Sequence, residues 1–200
     1  KLKARLVACG NHWKTESGSG QKDQFFTGTS ELSLFKMLLF IYCNERASLV
    51  DITRAFTQSD EEISQQLRGA GKTALRKPSI LKHKILWPEI LSQLGANPHA
   101  ENIYFQIMKS VYGERSAPKA WKRTLEKYLE SIGFTCSRFD DSIYIRHVPN
   151  SLPDIVLVYV DDVWIFSSAQ RDSHHVQFLD ELRLRFDTSE AQHLHEGDDI

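Results

Sequence analysis

The chain has 200 residues, of which 41% are hydrophobic and 26% are charged, and its formal net charge is −1. These values are typical of one or two globular domains with a sizeable core, and they exclude a strong overall field towards a polyanionic partner. The 3 cysteines are widely spaced without a Cys-x-x-Cys pair, so neither a zinc site nor a disulfide framework is indicated, and an intracellular setting is expected.

The densest apolar run, residues 37–43, is far too short to span a bilayer, so no membrane partner is expected. The chain begins at Lys1 rather than at a methionine, and no signal-like segment follows. We therefore expect it to be a piece of a longer protein.

The first part of the chain is predicted to hold one helix between two strands. Residues 1–9 alternate basic and apolar side chains, which is typical of a strand with one basic face. After a polar loop, a helix beginning at Thr29 or Ser30 carries apolar residues on opposite sides and is expected to be buried. Residues 48–53 follow as a short strand.

Two segments lack a clear pattern. Residues 64–102 are predicted as an irregular insertion with short elements, and their basic run, which begins at Arg68, is compatible with a phosphate contact or with a solvated loop. In the tail, residues 187–200, His193 and His195 lack a third ligand and give weak evidence for a metal.

The second half is predicted to contain strands and two helices. Strands are expected at 103–111 and 141–148. Apolar residues at three- and four-residue spacing predict a helix that starts near Pro118 and stops at Gly133. A second amphipathic helix is expected at 176–186.

Residues 155–167 contain two apolar, β-branched runs around Asp161 and Asp162, which predicts a hairpin with both carboxylates at its tip. One interpretation is a solvated turn, since Asp is a common turn residue. The other is a divalent cation, because adjacent carboxylates repel each other and Mg²⁺ takes carboxylate oxygens. Asp51, among apolar neighbours, is either an edge-strand residue facing solvent or a buried carboxylate that needs a partner or a metal.

Taken together, the three carboxylates suit a pair of metal ions about 3.5–4 Å apart, the arrangement that supports phosphoryl transfer. That chemistry requires hard oxygen ligands on rigid strands and little else from the protein.

Seven short sequence words, in this order, resemble those of copia-type retrotransposon reverse transcriptases. The words are Lys3–Ala8, Val50–Phe56, Lys109–Gly113, Ala117–Trp121, Gly133–Phe134, Asp141–Ile145 and Val158–Asp162. The resemblance covers residues 1 to about 187, and its tyrosine-x-Asp-Asp word is diagnostic of reverse transcriptases.

The resemblance implies an α+β fold of the right-hand polymerase type, in which an antiparallel palm sheet packs on helices and is joined by partial fingers. It places the fingers at 1–28 and 57–110 and the palm at 29–56 and 111–187. A thumb and a ribonuclease H region are expected to be missing.

The implied function is that of an RNA-directed DNA polymerase that copies an RNA or DNA template from a primer, using deoxynucleoside triphosphates. Asp51 and Asp161 would hold two Mg²⁺ or Mn²⁺ ions, with Asp162 as the third carboxylate. The other expected partners are further segments of a parent polyprotein, in a cytoplasmic particle or in the nucleus.

The resemblance also implies a nucleotide site. Phe56 matches the aromatic that leaves no room for a 2′-hydroxyl, although on its own it could equally be a core residue. Lys3 and Arg5 match a basic fingers segment that would reach the triphosphate, with a plain exposed strand face as the alternative. The remaining candidates are the backbone at Arg54, Ala55 and Phe56 for phosphates, Tyr159 and Val160 beside the primer terminus, and Tyr112 and Gly113 on the template side.

Some positions depart from the family pattern. Glu114 stands where the family usually has leucine, Ser116 replaces a glutamine, and residues 57–59 differ from the usual Leu-x-Gly. These departures keep open an alternative, a catalytically silent remnant that retains the fold as a nucleic-acid-binding or structural module. A nuclease with the same metals is a third possibility, but it would not explain Phe56 or the hairpin.

Overall fold

A six-stranded antiparallel sheet with helices on both faces forms the centre of the computed structural model, which describes residues 7, 32–68, 74–76, 91–93, 95, 97 and 103–194. The elements are α1 (Leu32–Ile41), β1 (Arg46–Asp51), a 3₁₀ helix η1 (Ala55–Gln58), α2 (Glu61–Arg68), β2 (Ala74–Arg76), β3 (Tyr104–Gln106), α3 (Ala117–Ser131), β4 (Thr135–Cys136), β5 (Ile143–Arg146), β6 (Asp154–Tyr159), β7 (Asp162–Ser167), a 3₁₀ helix η2 (Ala169–Arg171), α4 (Asp172–Arg185) and β8 (Gln192–Leu194). The predicted mixture of helices and antiparallel strands is confirmed. The predicted strand at 1–9, apart from Val7, and the helix cap at Thr29 or Ser30 lie outside the described residues.

The strand order in the large sheet is β4-β5-β6-β7-β1-β8. The predicted hairpin is β6 and β7, and β1 pairs antiparallel with β7 in a register that sets Asp51 opposite Asp162. Because strands rich in Val, Ile, Leu and Phe favour a pleated and buried environment, the hairpin and β1 occupy the middle of the sheet. β2 and β3 form a separate two-stranded sheet.

The two faces of the sheet bury two apolar clusters, as side chains that alternate along each strand require. On one face, Val50, Val156 and Ile165 pack with residues of α3 and α4 such as Leu125 and Leu182. The other face packs against α1 through Leu38, Tyr42, Leu157 and Phe166. Each face is held by helices, so the sheet is a rigid support for whatever lies at its ends.

The prediction that α1 is buried was wrong. Leu38 is the one buried residue within the helix, and Phe40 is 80% exposed. The helix touches the sheet along a single side, where Phe35 meets Trp164 at a ring-centroid distance of 4.7 Å. Apolar residues around a helix therefore indicated burial that the tertiary structure does not supply.

Two predicted strands are shorter in the structure. The strand at 103–111 is confined to Tyr104–Gln106, because the carbonyls that follow accept hydrogen bonds from the Arg68 side chain instead of a strand. The strand at 141–148 is confined to Ile143–Arg146. Sequence pattern identifies such elements better than it places their ends.

Helix α3 ends as predicted at Gly133, which has a φ of 92°. The Gly133 amide donates to the Glu130 carbonyl and the Phe134 amide to the Leu129 carbonyl, both at 3.0 Å, the two bonds of a Schellman motif. Since a side chain is strained in this backbone region, glycine is the favoured residue here.

Replacing Gly133 by alanine is expected to lower the free energy of unfolding by about 1–2 kcal/mol. The added Cβ would meet only the Cδ atom of Arg146, at 3.7 Å, so the loss should come from the backbone conformation and not from a clash. Urea unfolding measures it, and Gly133→Asn should lose less because asparagine tolerates positive φ better. Equal losses for both variants would contradict the backbone explanation.

Candidate active site

The tip of the β6–β7 hairpin is a two-residue turn, Val160–Asp161, closed by the pair Tyr159 and Asp162. Val160 has a φ of 56°, a region in which a β-branched residue is strained. The Trp121 indole of α3 donates a hydrogen bond of 2.8 Å to the Val160 carbonyl, which fixes the tip against the helix. Backbone strain of this kind persists where the surroundings enforce it, and it is frequent at functional sites.

The structure brings the three predicted carboxylates to one end of the sheet. Asp51, the last residue of β1, lies directly across from Asp162, the first residue of β7. The Ile52 amide donates a 2.8 Å hydrogen bond to the Asp161 carbonyl, so the backbone of Asp161 is fixed beside the same strand. Asp51 was expected to be either a solvent-facing residue on an edge strand or a buried carboxylate. Neither expectation holds fully, because β1 is interior to the sheet while Asp51 itself is exposed at the strand end.

Burial raises the pKa of Asp162, and the negative charge of Asp51 raises it further. Opposed residues on antiparallel strands have Cβ atoms about 4.5–5.5 Å apart, and like charges at that separation destabilise the sheet. This site therefore carries repulsion that a bound cation would relieve.

Asp162→Asn is expected to increase stability at pH 7 without divalent ions, by roughly 0.2–1 kcal/mol, because it removes one of two opposed like charges. A carboxyl group whose pKa is raised on folding stabilises the fold below its unfolded pKa and loses that contribution as the pH rises through the folded pKa. The gain of the variant should therefore disappear at low pH.

Thermal melting at pH 7 and at pH 3 measures the effect, and Glu190→Gln, which removes an exposed carboxylate, is the control. Adding Mg²⁺ should raise the melting temperature of the wild type more than that of Asp162→Asn. A variant less stable than the wild type at pH 7 would contradict the repulsion.

The donor chemistry of this site fits a hard divalent cation, since carboxylate oxygens are the ligands that Mg²⁺ and Mn²⁺ prefer. Asp161 and Asp162 are half-buried, and the Oδ1 atom of Asp161 is fully buried. Among the residues that the structure describes, however, no three His, Cys, Asp or Glu side chains converge closely enough to form a ready metal group. The ligand types fit, and the side chains would have to draw together around an ion.

A segment that no sequence pattern identified supports Asp51 from the side opposite the hairpin. Ser189 donates its amide to the Asp51 carbonyl at 2.8 Å and accepts the Asp51 amide on its hydroxyl at 3.1 Å. Asp187 accepts the Thr53 amide on its carbonyl at 2.9 Å, and its side chain pairs with Arg54. Only polar character marked this segment in the sequence, so no local signal could have identified it.

The predicted nucleotide residues lie near the same end. Arg54 has a φ of 55° and precedes the 3₁₀ helix η1, whose first amides, at Ala55 and Phe56, have no acceptor within the helix. The rings of Phe56 and Tyr112 are 5.1 Å apart, so the structure brings these two predicted residues into contact. Gly113, adjacent to Tyr112, is exposed and has a φ of 82°.

Two predicted residues lie outside the described part of the chain, Lys3 and Arg5. Val7, which follows them, forms a parallel bridge with Tyr112. At the hairpin, Tyr159 and Val160 are exposed by 50% and 45%.

Comparisons with known proteins assign the chain to a family. Residues 91–196, more than half of the chain, match the family model described as reverse transcriptase (RNA-dependent DNA polymerase). A retrovirus-related Pol polyprotein from transposon RE1 of Arabidopsis thaliana is 35% identical over 94 residues, 47% of this chain. The corresponding protein of transposon RE2, from the same plant, is 36% identical over 90 residues, 45% of this chain.

The residues matched by the family model place the chain in the class of RNA-dependent DNA polymerase-related proteins. The chain belongs to the reverse transcriptase family, and the predicted resemblance to copia-type retrotransposon reverse transcriptases is confirmed. The matched part of this chain corresponds to 6% of the length of each Arabidopsis relative. The match includes Asp161 and Asp162 but begins after Asp51. No helix in the described part of the chain is both long and apolar enough to cross a membrane.

Proposed function

We propose that this chain is the palm and part of the fingers of an RNA-directed DNA polymerase, with Asp51, Asp161 and Asp162 as its catalytic carboxylates. The observation that carries the proposal is the β1–β7 register, which sets Asp51 opposite Asp162 at the hairpin that matches the tyrosine-x-Asp-Asp word. On this proposal the palm is 29–56 and 111–187.

The fingers on this proposal are 1–28 and 57–110. Their described part contains α2 and the small β2–β3 sheet, which lie outside the six-stranded sheet. β2 and β3 pair with each other and not with a strand of the six-stranded sheet, which supports a division into two parts.

Asp51 and Asp161 would hold two Mg²⁺ or Mn²⁺ ions, with Asp162 beside them. When bound, such ions supply activation of a hydroxyl nucleophile and charge stabilisation of a phosphoryl group in transfer. The chain itself contributes rigidity: the amide and the carbonyl of Asp51 both bond to Ser189, the amide of the next residue, Ile52, bonds to the Asp161 carbonyl, and Trp121 fixes the hairpin tip. Because metal sites require ligands held within about 0.5 Å, this support is what the reaction needs from the protein.

Phe56 would lie under the sugar of an incoming deoxynucleoside triphosphate and exclude a 2′-hydroxyl. Its contact with Tyr112 supports this role, because the ring is held from the side by a second aromatic. The backbone at Arg54, Ala55 and Phe56, together with the side chains of Lys3 and Arg5, forms the proposed contacts for the triphosphate. Tyr112 and Gly113 would face the template, and Tyr159 and Val160 the primer terminus.

The proposed partners are a primed RNA or DNA template, deoxynucleoside triphosphates and further segments of a parent polyprotein. The two Arabidopsis relatives are themselves named as Pol polyproteins. The proposed location is intracellular, in a cytoplasmic particle or in the nucleus. The alternative of a silent remnant gains no support from Glu114, one of the departures from the family pattern, because that residue is buried in an ion pair with Arg68.

Primer extension on a poly-A template with an oligo-dT primer and Mg²⁺ tests the proposal. The longer polyprotein chain should extend the primer, and its Asp161→Asn, Asp162→Asn double variant should not. If neither protein extends the primer while both melt cooperatively, the proposal is wrong for this copy and the silent module is the better account.

A further inference from the structure

A buried ion pair connects α2 to the segment that carries Tyr112. The side chains of Arg68 and Glu114 are 3% and 1% exposed, and the guanidinium meets the carboxylate through two nitrogens, Nε to Oε1 and Nη2 to Oε2. Planar, two-point pairing of this kind fixes geometry as well as charge. Arg68 was predicted as part of a phosphate-binding or solvated run, and the structure places it in the interior instead.

Arg68 also binds the backbone that leads to Tyr112. Its Nη1 atom donates to the carbonyls of Ile107 and Met108 at 2.9 and 3.0 Å, and its Nη2 atom donates to the carbonyl of Lys109. One turn earlier on α2, the buried Ser64 hydroxyl accepts a 3.0 Å hydrogen bond from Ser110. α2 therefore holds four consecutive residues, 107–110, from a single face.

Glu114 closes the turn that contains Tyr112. Its Oε2 atom accepts the Val111 amide at 3.2 Å, and its own amide donates to the Val111 carbonyl at 3.2 Å. Tyr112 and Gly113 are the two residues enclosed by this turn. Their position thus depends on the same carboxylate that holds Arg68.

The segment that holds Tyr112 also carries its aromatic neighbour. Phe56 lies in η1, directly before α2, and its ring is 5.1 Å from the ring of Tyr112. The Asp60 amide, between η1 and α2, donates to Thr124 of α3 at 2.9 Å, which fixes this short segment to the helix packed beneath the hairpin. Residues 55–68 therefore set the positions of both aromatic rings.

We propose that Arg68 and Glu114 are positioning residues, which hold Tyr112 against Phe56 and so determine how tightly the site grips a deoxynucleotide and how well it rejects a ribonucleotide. This inference rests on the proposed polymerase function. A buried ion pair adds little net stability compared with apolar residues of similar size, because desolvation offsets the attraction, so its role here is to select one conformation. The ion pair also offsets the cost of burying the charge of Glu114, which stands where the family pattern has leucine.

The double variant Arg68→Met, Glu114→Leu tests the proposal, since removing both charges avoids leaving either one buried and unpaired. The first measurement is the nuclear Overhauser effect between the Phe56 and Tyr112 rings in the 200-residue chain, which requires no activity. We expect it in the wild type and expect its loss in the double variant. Arg146→Met is the control, because it removes an ion pair with the buried Asp154 at the opposite end of β6, where Arg171 still pairs with Asp154, and it should leave the effect intact.

The second measurement is kinetic. In primer extension by the longer chain, KM for dTTP should rise about tenfold or more in the double variant with a smaller change in kcat, because small displacements of a positioning group have large effects. The preference for dTTP over UTP should fall with it. Arg146→Met should lower the melting temperature and leave KM and the preference unchanged.

The outcomes are separable. An Overhauser effect that persists in the double variant overturns the proposal, and so does a lost effect with unchanged KM and unchanged nucleotide preference. A wild type that neither extends a primer nor binds dTTP in a titration contradicts the proposed function and the substrate part of this inference. In that case the Overhauser effect between the two rings still decides whether Arg68 and Glu114 position Tyr112.

Discussion

Asp51→Asn is expected to reduce primer extension by about 10³-fold or more while leaving the sheet folded. Loss of a metal ligand removes several kcal/mol of charge stabilisation in the transition state, and each factor of ten corresponds to about 1.36 kcal/mol. The fold should persist because Asp51 is exposed at the end of β1 and the substitution removes its charge from a position opposite Asp162.

This variant is an independent test of the site, since the family match begins at residue 91 and does not include Asp51. Extension rates with Mg²⁺, together with a melting curve, measure the outcome. Glu190→Gln is the control, because the Glu190 carboxylate is exposed, lies next to Ser189 in the chain and has no proposed role. A folded Asp51→Asn protein with more than a tenth of the wild-type rate would show that β1 does not supply a metal ligand.

The second large expected effect is acid destabilisation through His175, which is 3% exposed between α4 and the sheet. Its Nε2 and Nδ1 atoms lie 2.8 and 2.6 Å from the hydroxyl oxygens of Ser48 and Ser167. Burial, and after it the nearby His193, lowers the pKa of His175 from 6.5 to about 4. Arg46 also lowers this pKa, whereas Asp172 and Asp154 oppose the shift.

The sign follows from the lowered pKa. A histidine that must be neutral when folded stabilises the protein above its unfolded pKa of 6.5, and this contribution is lost as the pH falls towards about 4. The interval corresponds to about 3 kcal/mol at 1.36 kcal/mol per pKa unit. Urea unfolding at pH 7 and pH 4 should therefore show a loss of this order in the wild type.

His175→Gln, which can still bond to both serines but does not titrate, should show a much smaller loss between the two pH values. His174→Gln is the matched control, since His174 is the adjacent residue on α4 but is exposed. If His175→Gln loses as much stability as the wild type does between pH 7 and pH 4, other groups account for the acid sensitivity.

The sequence was sufficient to predict the elements that are marked by residues close together in the chain. The hairpin was readable because two β-branched runs flank Asp161 and Asp162, and α3 because apolar spacing, Pro118 and Gly133 mark its body and its ends. The family resemblance followed from short words in order, which require no knowledge of contacts.

What depends on partners distant in sequence could not be predicted. α1 looked buried from its composition, but whether a helix is covered depends on what packs against it, and the sheet covers one side. The tail has no strong sequence pattern, yet its strand β8 pairs with β1. The side of β1 that faces away from β7 presents backbone hydrogen-bonding groups that β8 can pair with.

By itself, the sequence determined the class of the protein and the hairpin, and it predicted the three carboxylates. Only the tertiary structure decided that Asp51 faces Asp162, that Ser189 supports Asp51, and that Arg68 pairs with Glu114 across 46 residues of chain. The physical reason is that strand register and buried charge pairing are set by groups that become neighbours only when the chain folds, so no window along the sequence contains both partners.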